Sequence, residues 1–296
     1  MKHNLRASVI AAALACAAVP VFAQSTVTIY GRVNTTVEAQ KSNGVKNTVV
    51  ADNNSRFGFK GAEDLGGGMQ ALFQLESGFD SSTGATTRGA LFGREATVGL
   101  SGSLGTVKLG QQAFPPIYFT SADYVSMHNH DTGSSSDALF GLFLQPLRQS
   151  NSIAYTSPTF SGFKFQIAQS LSEKANFAGT PNTTVVPAIP AIPVSTTTDA
   201  TLDYDNGPLH LGVGYDKNGL NKTFAVRALY EFGALTVGGY YERDKYEGAF
   251  VGGPVLVNWG TRNNIRLSAM YVVGASEFHA NVGVAGNFSN IALQNG

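Results

Sequence analysis

Between Thr26 and Ala39 the chain alternates: Val27, Ile29, Val33, Val37 and Ala39 fall on one side, Thr28, Arg32, Asn34 and Glu38 on the other. Successive side chains of a strand point to opposite faces, so a period of two gives one oily face and one polar face. The pattern recurs along almost the whole chain. Arg56 and Lys60 oppose Phe57, Phe59 and Gly61; Gln70, Gln74 and Glu76 oppose Ala71, Phe73 and Leu75; Lys108 sits between Val107 and Leu109. Further on, Lys164 and Gln166 oppose Phe163, Phe165 and Ile167, Asp203 opposes Leu202 and Tyr204, and His210 opposes Leu209, Leu211, Val213 and Tyr215. Arg227 and Glu231 oppose Phe224, Val226, Ala228 and Tyr230, while Tyr240 and Glu242 face away from Leu235, Val237 and Tyr241. Arg266 and Ser268 oppose Ile265, Leu267, Ala269 and Tyr271. About thirteen strands are readable in this way, joined alternately by short Gly-rich turns and long polar loops. Almost every charge within them falls on the polar parity. Arg94 shares parity with Ala96 and Val98 and is the exception, assigned to a rim or a bulge.

A soluble fold built from such strands would show water far more than the few hundred Å² of apolar patch that a monomer usually exposes. The alternative is a closed transmembrane antiparallel β-barrel of roughly ten-residue strands, oily outside and polar within. Charges belong on the inward parity of such a barrel, because Lys or Arg at the lipid midplane costs about 2–4 kcal/mol. Residues 1–23 read as a signal peptide: Lys2 and Arg6, an apolar stretch from Ala7 to Val19, and Val21-Phe22-Ala23 before Gln24. The apolar stretch is shorter than the roughly 20 residues a spanning helix needs. The one cysteine, Cys16, lies in this leader, so disulfides and thiolate chemistry are excluded from residues 24–296. Without Lys2 and Arg6 the formal charge is −2, which speaks against a nucleic-acid partner. A hydrophobic share of 43% suits strands that meet lipid with every second residue. Two stretches break the rhythm, Gln112 to Gln149 and Glu173 to Thr198, the second carrying the stiff tract Pro187 to Pro193.

Three segments resemble the general porins of Gram-negative outer membranes, in particular the branch of anion-preferring trimeric channels. They are Ser55-Arg56-Phe57-Gly58-Phe59-Lys60-Gly61-Ala62-Glu63-Asp64-Leu65-Gly66-Gly67-Gly68 with Ala71 to Glu76; Arg94 to Leu100 with Leu104 to Gly110; and Asn151 to Pro158 with Phe160 to Phe163. The resemblance implies an all-β fold, a trimer of 16-stranded barrels, each with a water-filled pore and a third loop folded inward, here about Ala113 to Arg148. It further implies residence in the outer membrane among lipid and lipopolysaccharide, with ions and small hydrophilic solutes passing by diffusion and no cofactor. Such porins end in a strand with a terminal aromatic. The chain stops at Leu293-Gln294-Asn295-Gly296, so residues 24–296 are expected to be a barrel incomplete at its C-terminus, short by about three strands. Gln111, Ala154 and Asn34 stand where the family often has charged residues, which weakens the expected selectivity.

Selectivity in such pores comes from charged side chains at a constriction. The expected basic wall is Arg32, Arg56, Lys60 and Lys108, all inward within the first five strands, opposed by the loop acids Asp123, Asp131 and Asp137. Glu38, Glu76, Asp203, Glu231 and Glu242 are expected to offset Lys164, Arg227 and Arg266 elsewhere in the lumen, leaving a slight lean toward anions. Two other readings stay open: a barrel enzyme of protease or lipase type, and a substrate-specific channel or adhesin. The sharpest cue for chemistry, His128-Asn129-His130-Asp131, lacks a third histidine, and no nucleophile elbow or phosphate loop appears, so no catalytic or metal-ligating residue is assigned. Trp259, beside Asn258 and Gly260, is assigned to loop or interface packing.

Overall fold

The computed structural model describes residues 26–42, 45–120, 148–171, 196–247, 249–250 and 256–290. The signal peptide, the loop acids Asp123, Asp131 and Asp137, the His128–Asp131 cluster, the Pro187–Pro193 tract and the last six residues lie outside that set.

The alternating segments form one antiparallel sheet of 13 strands. It begins with β1 (Thr26–Arg32), which pairs with β4 (Arg56–Gly66), and continues through β5 (Met69–Gly78), β6 (Glu95–Gly102) and β7 (Gly105–Gln112). Next come β8 (Gln149–Thr156), β9 (Phe163–Ser170), β10 (Thr197–Asn206), β11 (Leu209–Asn218), β12 (Asn221–Phe232) and β13 (Leu235–Tyr246). The sheet ends with β16 (Gly260–Val273) and β17 (Ser276–Ala285), so β1 and β17 are its edges. Two small hairpins stand apart from it, β2 (Thr35–Ser42) with β3 (Val45–Asp52), and β14 (Ala249–Phe250) with β15 (Leu256–Val257).

Burial follows the alternation. In β12, Thr223, Ala225, Arg227 and Leu229 are buried while Phe224, Val226, Ala228 and Tyr230 are exposed; in β16, Arg262, Asn264, Arg266 and Ser268 are buried while Ile265 and Leu267 are exposed. The buried face is the polar one. That inversion of a soluble sheet is what a lipid-facing exterior demands. Ile29, Phe57, Val98, Leu109, Phe165 and Phe224 all lie on the exposed face.

One strand departs from its expected length. The alternation runs unbroken from Thr26 to Ala39, but the main sheet loses the chain after Arg32, and Thr35 onward folds back as the β2–β3 hairpin. The turn at Val33-Asn34 is satisfied by hydrogen bonds across it: the Asn34 amide donates to Ser55 Oγ at 2.9 Å, and the Asn53 amide to the Asn34 carbonyl at 2.9 Å. A period of two continues on both sides of such a corner and cannot reveal it. Glu38 therefore sits on the hairpin, not on the wall where alternation placed it, and residues 45–52 form a strand where a loop was expected.

The ends of the sheet differ. At one end the strands reverse through tight turns, such as Gly66-Gly67-Gly68 with φ of 80°, 61° and 78°, values open to glycine. At the other end lie most of the long connections, including residues 33–55, 79–94, 113–148 and 171–196. β7 finishes in a register shift between Gly110 and Gln112, with Gly110 at φ 121°. Bulges re-aim the chain and end pairing. Here the shift releases the chain into the connection that starts at Ala113, whose helical turn Pro116–Tyr118 contacts β9, β10 and β11. The start of the expected third loop thus lies against strands two to four places along the sheet, on their buried face.

Candidate functional site

The inward residues of the first five main-sheet strands bring the expected cations together. Across the β1–β4 ladder Arg32 lies directly opposite Arg56, and Thr28 opposite Lys60. Lys60 Nζ stands 5.3 Å from the centroid of the Tyr30 ring, within reach of a cation–π attraction. On the next strands Glu76 faces Glu95 across β5–β6, and Lys108 Nζ reaches Glu95 Oε1 at 3.2 Å.

Glu76 is the centre of this network. Its Oε1 accepts from Arg94 Nε at 2.5 Å, its Oε2 accepts from the Tyr30 hydroxyl at 3.0 Å, and Arg56 Nε lies 4.0 Å away. Gln74 Nε2 donates in turn to the Tyr30 oxygen at 2.9 Å. One carboxylate therefore orders an arginine, a tyrosine and the flank of a second arginine. Five cations, Arg32, Arg56, Lys60, Arg94 and Lys108, share this wall with the two acids Glu76 and Glu95.

Arg94, the exception to the parity, lies on the inner side. It lies in a bend before β6, which starts at Glu95; its amide donates to the Glu76 carbonyl at 3.1 Å, and its side chain is buried on the inner side. The bend resets the alternation, so counting back from Ala96 assigns the wrong face. Its seat is made by Gly78, where an added Cβ would run into Thr87 Oγ1 and meet Arg94 Cδ at 3.0 Å. The same device recurs: Tyr30 lies over Gly58, Lys108 over Gly99 and Arg227 over Gly212. Glycine on the inward parity lets a long side chain of the neighbouring strand lie flat on the wall.

The other half of the sheet is acidic. Asp199 lies opposite Asp216 across β10–β11, and both are fully buried. Asp203 accepts from Arg227 at 2.7 Å, and Asp244 accepts from Thr223 Oγ1 at 2.8 Å and from Arg262 Nε at 2.8 Å. Asn264 donates to Glu242 Oε1 at 3.1 Å and to Asp244 Oδ2 at 3.0 Å. Asp199, Asp216 and Asp244 went unnamed in the sequence, although 199-201-203, 210-212-214-216 and 240-242-244 are each a run of one parity that the alternation contains. Asp199 was hidden because β10 begins at Thr197, inside what read as a loop.

At the tight-turn end His210 lies between Asp205 Oδ1, at 2.8 Å, and Glu231 Oε1, at 3.2 Å. At the opposite end Trp259 packs between Tyr246, at 4.7 Å, and Phe288, at 5.3 Å, as its assignment to packing requires.

A family model described as Gram-negative porin matches residues 8–294. The chain belongs to the Gram-negative porin family. Among curated relatives, an outer membrane porin protein of Bordetella pertussis is 34% identical over 240 residues, covering 73% of this chain and 60% of the relative. Outer membrane porin protein 32 of Delftia acidovorans is 29% identical over 277 residues, covering 86% of this chain and 74% of the relative. Among solved structures, an anion-selective porin from Comamonas acidovorans superposes with a TM-score of 0.63 at 24% identity, covering 88% of this chain and 78% of that one. This porin-family chain therefore spans 60% of the length of its Bordetella relative. The fold is that of the porins, and the compartment is the outer membrane of a Gram-negative bacterium.

Proposed function

We propose that the protein forms a water-filled pore through which ions and small hydrophilic solutes diffuse, with a weak preference for anions. The observation that carries this reading is the inward cluster of Arg32, Arg56, Lys60, Arg94 and Lys108 around Glu76 and Glu95, on a sheet whose other face is apolar. Charged side chains lining a narrow wet passage set which ions pass. Low-dielectric walls focus the field between the basic strands and the acidic ones, so polar solutes orient in transit. The names of the Delftia and Comamonas proteins, a porin and an anion-selective porin, support the same reading. Assembly as a homotrimer embedded in lipid and lipopolysaccharide belongs to this proposal, as do Asp123, Asp131 and Asp137 as acids of the inward loop.

Planar-bilayer recording under a salt gradient tests it. The protein is expected to give stepwise channels with a reversal potential of anionic sign, and Arg56→Glu is expected to move that potential toward cations. An unchanged potential would remove Arg56 from the selective region, and absence of channels would remove the pore.

A further inference from the structure

The described start of the β7–β8 connection does not merely lie near the inner wall. It is keyed into it. Ile117 is wholly buried, and its amide donates to Asp199 Oδ1 of β10 at 2.9 Å. Beneath it is Gly214 of β11, on the inward parity with Gly212 and Asp216. A Cβ built on Gly214 would find as its three nearest atoms Ile117 Cγ1 at 2.8 Å, Thr120 Oγ1 at 3.2 Å and Ile117 Cβ at 3.4 Å. All three belong to the connection and none to the sheet. Gly214 is thus a hollow in the wall that the connection fills, while the neighbouring strand is left undisturbed. A second tie lies one strand further on, where Arg227 Nη1 donates to the Phe119 carbonyl at 3.4 Å. Arg227 is itself held by Asp203 and seated over Gly212.

We infer that Gly214 and Asp199 together form the seat that fixes how far residues 116–120 of this connection stand off the wall, and through them the open cross-section of the pore. The inference rests on the pore reading above and adds to it the residues that set pore size. A methyl group at position 214 cannot be absorbed by rotating a flexible chain end, because it meets the branched Cβ and Cγ1 of Ile117, which are stiff at χ1. The connection must move inward, toward the space that solutes use. Asp199 works by a different physical link, since its carboxylate satisfies a backbone amide that would otherwise be buried without an acceptor. Neither residue needs to touch a permeating ion, so both are positioning residues.

The test is single-channel recording of Gly214→Ala, Ile117→Ala and the double variant, with protein extracted from outer membranes and its heat-modifiable mobility on gels as the check of folding. Gly214→Ala is expected to lower conductance on the order of two-fold, since side chains displaced into a narrow passage obstruct it directly. Ile117→Ala alone is expected to empty the hollow and raise open-channel noise. The double variant is expected to recover most of the lost conductance, a coupling that only directly packed residues show. A purely structural role for Gly214 would reduce the yield of folded protein and leave the conductance of the surviving channels unaltered; that result overturns the inference. So does a loss that Ile117→Ala fails to relieve. Should Gly214→Ala not insert, Ile117→Ala decides: unchanged conductance and noise overturn the seat, and changed values support it. A wild-type protein that gives no channels would defeat the pore reading itself, a different outcome from normal channels that ignore these substitutions.

Discussion

The two halves of the inner wall carry charge in different ways. On β1 and β4–β7, cations outnumber acids and part of their surface meets water: the side chain of Arg56 is 25% exposed and that of Lys108 34%. On β10–β13 and β16, the acids Asp199, Asp203, Asp216, Glu242 and Asp244 face Arg227, Arg262 and Arg266, and the close pairs are buried. The side chains of Arg227 and Asp203 are 3% and 5% exposed, those of Arg262 and Asp244 10% and 0%. A count of inward charges would rate the halves as similar and opposite. Exposure separates them. Apart from the buried Arg94–Glu76 pair, the first half presents its charge to the lumen, and the second spends much of its own inside hydrogen-bonded pairs. On the pore reading proposed above, the first acts on solutes and the second holds the wall and the β7–β8 connection in shape.

Substitutions on the two sides should accordingly be read out by different measurements. The largest effect is expected from Asp203→Ala. Removing one partner of a buried pair leaves the other charge poorly compensated and costs about 3 kcal/mol. Urea or heat unfolding, followed by gel mobility, is expected to show the loss, and a variant as stable as wild type would break the division between the halves. Next comes Glu76→Gln. It deletes the carboxylate shared by Arg94, Tyr30 and Arg56 while keeping a hydrogen-bond acceptor. The anion-to-cation permeability ratio is expected to rise on the order of two-fold through the stronger local field. A shift toward cations would show that Glu76 matters for posture rather than charge. Lys108→Gln is expected to do less, because Glu95 already offsets this half-exposed cation at 3.2 Å. A stability change below about 0.5 kcal/mol is expected of such a pair, with a reversal-potential shift smaller than that of Arg56→Glu.

The smallest effect lies outside the membrane-spanning strands, on the β2–β3 hairpin. Burial pushes the Asp52 carboxyl up, but hydrogen bonds from Ser55 and Ser81 outweigh it, and the group is held below its ordinary value of 3.8. The Ser81 amide donates to Asp52 Oδ1 at 3.1 Å, tying the hairpin to the chain after β5. A depressed carboxylate stabilises the fold above its unfolded pKa and loses that contribution as the pH falls through the folded value. Protease clipping of the hairpin is therefore expected to increase only below the ordinary carboxylate range, and Asp52→Asn is expected to abolish that pH dependence. Clipping that rises equally in both proteins would remove Asp52 as the tie.

Much of the wall was legible in the sequence for a simple reason. A strand in lipid has no freedom over which face is oily, so Arg56, Lys60, Lys108, Asp203 and Glu242 declare their side through the neighbours on either hand. Arg32 keeps the side that the alternation gives it, because it precedes the corner at which β1 ends. Arg94 stands out as the exception to parity because a bend before β6 reverses the alternation, and the side it then takes leaves no trace in a period of two. Glu38 was misplaced because the hairpin keeps the alternation of the strand it interrupts.

The strand pattern, the inward side of most charges, the family and the membrane setting follow from the sequence alone, because the pleat and the lipid together leave one arrangement for alternating residues. Which charges meet one another was decided only in three dimensions. Register brings Glu76 beside Glu95 and Asp199 beside Asp216, and the bulge at Gly110 sends Ile117 across to a glycine in β11, 97 positions further along the chain. Contacts of that kind depend on strand stagger and on the absence of a side chain, and neither leaves a periodic mark for a reader of residues to find.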